Sequence, residues 1–286
     1  MASQPVEKVP VPDTRIVTVD SENIEKILGE RIPENEARVC IAVHSNLDPN
    51  QLIDLTLQGY RHIVRNNLDG LPNALNFCQA LEKDPERFFN SPLDFLLKAP
   101  KQRLEVEFFN KRDKNQVLDQ AAAFMDQAEG ARWVTQPATL ILDECYMNAL
   151  YDAQDNSGVI EGKVDRFAAD VALPEPYKAW MRIAYDDEYL VFGCEDPFGA
   201  LKLEDFITHL AKFYKKGEKP TPNMGDSGAG LGFGLVFHST SDIIVAVWPK
   251  RKTAVYCRLP LKLSKVQSKK QGKALNLIAI REPADA

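Results

Sequence analysis

The first third of the chain alternates between two hydrophobic periods. Residues 15–19, 37–43 and 61–64 are short apolar runs rich in Val and Ile, bounded by polar turns, and predict strands. Residues 21–28, 49–58 and 72–81 space their apolar positions as a helix does. Strand–helix alternation predicts a parallel sheet. A small α/β module is therefore expected over 13–85, after a disordered lead-in over 1–12 that holds three prolines.

Residues 86–102 mix Phe88, Phe89, Phe95 and Leu96 with Pro92 and Pro100, and predict a packed connector, since those rings would otherwise be exposed. A second domain is expected over 103–286. It opens with a strand at 104–108 and an amphipathic helix at 114–128, whose apolar stripe is Val117, Leu118, Ala121, Phe124 and Met125. A helix follows at 139–152, free of Gly and Pro, then a strand from 190 that ends in Asp196 and a Pro/Gly turn. Residues 201–214 have helical spacing, 242–259 read as two strands around a basic turn, and 275–280 as a last strand.

Composition narrows the classes. At 286 residues two domains are the default, and 44% hydrophobic with 27% charged residues is ordinary for a globular protein. The net charge of −6 argues against a general nucleic-acid binder. Five scattered cysteines without a CxxC pair suggest reduced, buried thiols, and four histidines without ligand spacing argue against zinc. With no signal peptide or long apolar span in view, a cytoplasmic protein without membrane association is expected. Lysines crowd 262–273, either as a solvated loop between two edge strands or as a patch for an anionic partner.

The candidate chemistry centres on glycines at 225, 228, 230, 232 and 234, which open into an apolar run. Glycine lets backbone approach a ligand closely, and a Gly-rich turn feeding a helix aims free N–H groups at an anion. The stretch is neither a P-loop nor a dinucleotide fingerprint, because no G-K-[ST] follows and a loop precedes it. Upstream, Glu144 and Asn148 stand four apart on one helix face. Asp196 ends a strand and Thr253 opens a later one. Lys215, Lys216 and Lys219 precede the glycines. Singly, each has a plain structural reading: a solvated helix residue, a turn residue or a basic loop.

Taken in order, these segments resemble the ATP-binding domain of the GHKL superfamily. Residues 143–149 resemble its N box, 196–199 its G1 box and 228–232 its G2 box, while Thr253 matches the threonine of a late strand. The resemblance is nearest to the anti-sigma-factor kinase branch and covers roughly residues 100–261. It implies that Asn148 holds Mg²⁺, that Glu144 is the general base, and that Asp196 accepts from the adenine amino group. It implies further that Gly199 lets the base lie against the backbone, that Gly228, Gly230 and Gly232 wrap the phosphates, and that Thr253 touches the adenine side. The usual G1 box is D-x-G-x-G; here Pro197 and Phe198 leave a bulkier turn in which only Gly199 matches. The implied fold is α/β: a small N-terminal module followed by a two-layer α/β sandwich, a mixed sheet with helices on one face. Residues 201–214 and the lysines after them would form a lid.

The N-terminal module resembles a degenerate response-regulator receiver, with 59–65 similar to a last receiver strand and an incomplete acidic pair near Asp20. An unrelated small α/β domain stays open beside it. Two function classes follow. One is an ATP-binding signalling regulator, in the sharpest form a serine/threonine protein kinase using ATP and Mg²⁺ on a partner signalling protein such as an anti-anti-sigma-like regulator. The other is a non-catalytic adaptor whose modules bind partner proteins. A homodimer is compatible with both. Histidine autokinase work is disfavoured because no dimerising helix with a His precedes the domain.

Overall fold

Strands β1 (Thr14–Val19), β2 (Val39–His44) and β3 (His62–Arg65) alternate with helices α1 (Ile24–Gly29), α2 (Pro49–Leu57) and α3 (Leu71–Lys83) in a computed structural model of the chain. The structure describes residues 14–30, 39–44, 47–65, 71–215, 234, 236–263, 267 and 272–280. The lead-in over 1–12 lies outside them. Helix α2 starts where its sequence dictates. Asp48 accepts from the amides of Asn50 and Gln51, the Gln51 side chain returns to the Asp48 amide at 3.0 Å, and Pro49 fills the first turn.

The short helices α4 (Pro85–Asn90) and α5 (Pro92–Leu96) lead to β4 (Gln102–Phe108), α6 (Lys114–Met125) and α7 (Thr135–Leu150). Helix α8 (Asp152–Ser157) comes next, then β5 (Ala179–Tyr185), β6 (Tyr189–Asp196) and α9 (Leu203–Lys215). The chain ends its regular structure with β7 (Asp242–Trp248), β8 (Lys252–Pro260) and β9 (Ala274–Ala279).

The nine strands of the described residues lie in one mixed sheet, in the order β1-β2-β3-β9-β7-β8-β6-β5-β4. Strands β1, β2 and β3 are parallel, and β4, β5, β6, β8 and β7 run antiparallel in turn. Strand β9 joins the two series: it is parallel to β7 and antiparallel to β3, with His62 opposite Asn276. The sheet therefore does not stop at the segment that separates the two expected domains.

One sheet face carries α6, α7 and α9. Val117, Leu118, Ala121, Phe124 and Met125 of α6 are all buried there, as its stripe predicts. Helix α9 packs on α2 through a face that buries Phe206 and Leu210, so the helix expected to belong to a lid is docked in the core. The lysines beyond it, Lys216 and Lys219, lie outside the described residues.

The expectation of helices on one face is corrected by the connector. Phe88, Phe89, Leu93 and Leu96 of α4 and α5 pack on the opposite face, against Ala184, Val191, Ile244, Ala254 and Tyr256. Phe88 meets Tyr256 edge-on at 5.9 Å between ring centroids. The physical reason lies in the strands, because residues on both faces of β6 and β7 are buried and need cover on both sides. The middle of the fold thus has three layers. The expectation of edge strands around the lysine-rich stretch is also corrected: β8 and β9 are interior strands, and Lys273 is half-buried, with its amine donating to the carbonyls of His238 and Thr240. Lys262 is exposed, and Lys265, Lys269 and Lys270 lie outside the described residues.

Candidate functional site

Helix α7 runs along β6 with a four-residue polar repeat on one side. Glu144 and Asn148 are one turn apart, and the repeat continues past the break at Tyr151 into Asp152 and Asn156 of α8. The apolar partners on that flank are small: Cys145, Ala149 and Ala153. Small side chains leave a gap between the helices and the sheet. The gap is a narrow cleft of about 60 Å³ floored by Cys194 and Asp196 of β6 and Thr253 and Val255 of β8, with Leu201 at one side.

Asp196 and Thr253 face each other across the β6–β8 pairing. One Asp196 carboxylate oxygen accepts from the amides of Phe198 at 2.9 Å and Gly199 at 3.2 Å, which shapes the turn after the strand. Burial pushes the Asp196 carboxyl up to about 6, although those amides and Thr253 favour the charged form. Another polar atom of the cleft, the side-chain nitrogen of Asn148, is buried without a hydrogen-bond partner among the described residues.

The helix side of the cleft is acidic and partly dehydrated. Burial raises the Asp152 carboxyl, against the opposing pull of Arg166, whose guanidinium is paired with it. Burial also raises Glu144, helped by Asp143 and Asp152 and opposed by Lys114. Lys114 is held 2.7 Å from Asp143. Glu144 itself is half-buried on α7 and is not in the cleft wall; it stands one turn before Asn148.

The structure thus brings Asn148, Asp196 and Thr253 into one cleft and sets Glu144 beside it. Gly199 plays a part that the resemblance does not imply. Its φ is +59°, and a Cβ there would overlap the carbonyl oxygen of Trp248 and come within 2.9 Å of the amides of Arg251 and Lys252. The missing side chain makes room for the β7–β8 turn, and Phe198 beside it is buried against Tyr177. Gly228, Gly230 and Gly232 lie outside the described residues; after them, residues 236–239 are helical, with Val236 and Phe237 fully buried.

Sequence reasoning missed Asp152 and Asn156 as cleft residues. The signal was present in the repeat 144, 148, 152, 156, which reads as one polar stripe once both helices are taken together. Among the described residues no three His, Cys, Asp or Glu side chains are grouped to hold a metal ion. Cys78, Cys145, Cys194 and Cys257 are free and buried, and no helix among the described residues is long and apolar enough to cross a membrane. No family model matches the chain, and no curated protein is similar to it.

Proposed function

We propose that the chain is an ATP-binding signalling regulator whose cleft between α7, α8 and the sheet takes the nucleotide. The observation that carries this reading is the unsatisfied Asn148 amide set in one cleft with the Asp196–Thr253 pair. Buried polar atoms are nearly always hydrogen-bonded, and leaving one bare costs about 1–3 kcal/mol. Here the Asn148 amide nitrogen is bare, and the half-buried carboxylate of Asp196 stands opposite Thr253. An adenine base offers an amino donor for Asp196 and ring acceptors for Thr253. Asn148 would hold Mg²⁺ through its side-chain oxygen, a hard ligand of the kind that ion prefers, with its amide nitrogen left to meet a phosphate oxygen.

Bound ATP would supply a transferable phosphoryl group. The residues' part in that chemistry is positioning and proton handling. Glu144 would take the proton of an attacking hydroxyl, and its raised carboxyl suits a base better than an ordinary glutamate would. The hydroxyl would belong to a partner protein, which makes the sharper form of the reading a serine/threonine kinase of the anti-sigma type. The parallel strands β1, β2 and β3 would serve as a receiver-like contact module.

One observation favours the second reading, a non-catalytic adaptor. The turn at 196–199 is fully accounted for by packing, because Phe198 is core and Gly199 abuts the β7–β8 turn. Such a turn would persist in a fold that no longer binds nucleotide.

Calorimetric titration with an ATP analogue and Mg²⁺ separates the two. Micromolar binding is expected, and ~1 μM corresponds to about −8 kcal/mol. Asn148→Ala should remove the metal-dependent part, and Asp196→Asn should weaken binding by about 1.5–3 kcal/mol. Glu144→Gln should leave affinity unchanged and slow phosphoryl transfer to a partner roughly 10²–10⁴-fold. No heat at millimolar ATP would leave the adaptor standing.

A further inference from the structure

A second cavity, of about 200 Å³, lies on the other side of the sheet, between α3, α5, the end of β3 and strands β6 to β9. It adjoins neither Asp196 nor Thr253. We propose that this cavity is a second ligand site, for a small neutral molecule that is largely apolar and carries a carbonyl or similar acceptor oxygen, with the side-chain NH₂ of Asn276 as the donor to that oxygen. It is independent of the nucleotide reading.

The Asn276 side chain is buried, at 3% exposure, and its two ends have different surroundings. Its oxygen is occupied: His62 Nδ1 lies 2.9 Å from it, and Cys78 Sγ donates to it at 3.6 Å. His62 Nε2 lies 2.9 Å from the Glu82 carboxylate, an acceptor, so that nitrogen carries a proton. Burial works to lower the charge on the ring, but the contacts with Cys78 and Glu82 outweigh it and raise His62 to about 10. At neutral pH the ring is an imidazolium, and Nδ1 donates as well. The amide is thereby fixed, with its oxygen toward His62 and its NH₂ turned away. Both side-chain contacts of Asn276 among the described residues are made by the oxygen. The NH₂ is left to the cavity that Asn276 lines. A buried donor is nearly always bonded, so a bare one opening on a cavity calls for an acceptor.

The charges around the cavity cancel. Asp242 is shared by Arg65 and Arg258, and Arg65 also donates to the Gly272 carbonyl at 3.1 Å. Asp186 accepts from the amides of Glu188 and Tyr189 at 2.8 Å, so two guanidiniums stand against two carboxylates. Asp94 is paired with Arg103, and the exposed rim residues Lys98 and Glu188 are opposite in sign. No net charge calls for an ion. The remaining wall is apolar: Phe77 and Phe95, 5.7 Å apart between ring centroids, join Leu97 and Ile244. An aromatic or aliphatic body would cover that wall while its oxygen reached Asn276. Such a ligand would touch β3, the connector and β9 together, and so would clamp the strand that joins the two strand series.

The test uses the full chain and two neutral fluorescent probes with the same aminonaphthalene body. One is 6-propionyl-2-(dimethylamino)naphthalene, a ketone; the other is 2-(dimethylamino)naphthalene, which has no acceptor oxygen. The ketone is expected to bind one per chain, about fivefold tighter than its analogue, the factor for one neutral hydrogen bond. Asn276→Asp keeps an oxygen for His62 and Cys78 but has no donor for the ligand, and should erase the preference. Phe95→Ala should weaken both probes together. Equal affinity of the original chain for the two probes overturns the site, as does a preference that survives Asn276→Asp. Full displacement of the ketone by ATP and Mg²⁺ also overturns it, since that would put the probe in the other cleft. If Asn276→Asp does not fold, Phe95→Ala decides, because it leaves the His62–Asn276 contact intact; unchanged affinity for the ketone in that variant overturns the site.

Discussion

Asp196 is the residue on which stability and binding pull in opposite directions. Its carboxyl is raised from 3.8 to about 6 by burial. Between those two values the folded protein binds more protons at this group than the unfolded chain does. Stability contributed by Asp196 therefore falls as pH rises from about 4 to 6 and stays lower above that range. Asp196→Asn removes the titration while its side-chain oxygen can still accept from Phe198 and Gly199. The melting temperature of the variant, relative to the original chain, is expected to climb between pH 4 and 6 and then level off. Thermal scans across that range check it, and a pH-independent difference would remove Asp196 as the cause. The expected loss of ATP affinity in the same variant would make this a site that trades stability for binding. Asn148 makes the same point more quietly, since it buries a polar atom that nothing among the described residues satisfies.

At the scale of elements, the cleft exists because two helices and two strand ends are held at a fixed offset. The turn after β6 fits under the turn between β7 and β8, and Gly199 is the contact point. Gly199→Ala would put a Cβ into the Trp248 carbonyl at a positive φ. Backbone strain of that kind costs about 1–3 kcal/mol before the overlap is counted. Urea unfolding is expected to show a loss of at least about 2 kcal/mol. A change within a few tenths would mean that the turn relaxes freely. Helices α7 and α8 show what pattern reading catches and what it loses. The face shared by Glu144 and Asn148 is plain in their spacing, but the stripe runs on through Asp152 and Asn156 across a break at Tyr151. Local periodicity marks a face; it does not say that a second helix carries that face onward.

For the whole molecule the continuous sheet has a thermodynamic consequence. Strand β9, late in the chain, lies between β3 and β7, and one hydrophobic cluster includes Ile63, Phe108, Phe192 and Leu277. The two halves therefore share both strand pairing and core. Differential scanning calorimetry is expected to give one transition, with calorimetric and van't Hoff enthalpies in agreement. Two resolved transitions would show halves that unfold separately. By itself the sequence determined most elements: the strands at 15–19, 61–64 and 275–280 and the stripe of α6 appear within a residue or two of where their periods place them, while β5 and the short helices α4, α5 and α8 went unread. It determined them because hydrophobic period, capping and turn residues act within a few positions of one another. Only the tertiary structure decided that β9 inserts beside β3, that the connector covers a second face, and that Asp196 and Thr253 meet. Those are contacts between residues far apart in the chain, set by which buried faces must be covered, and no local pattern records the partner.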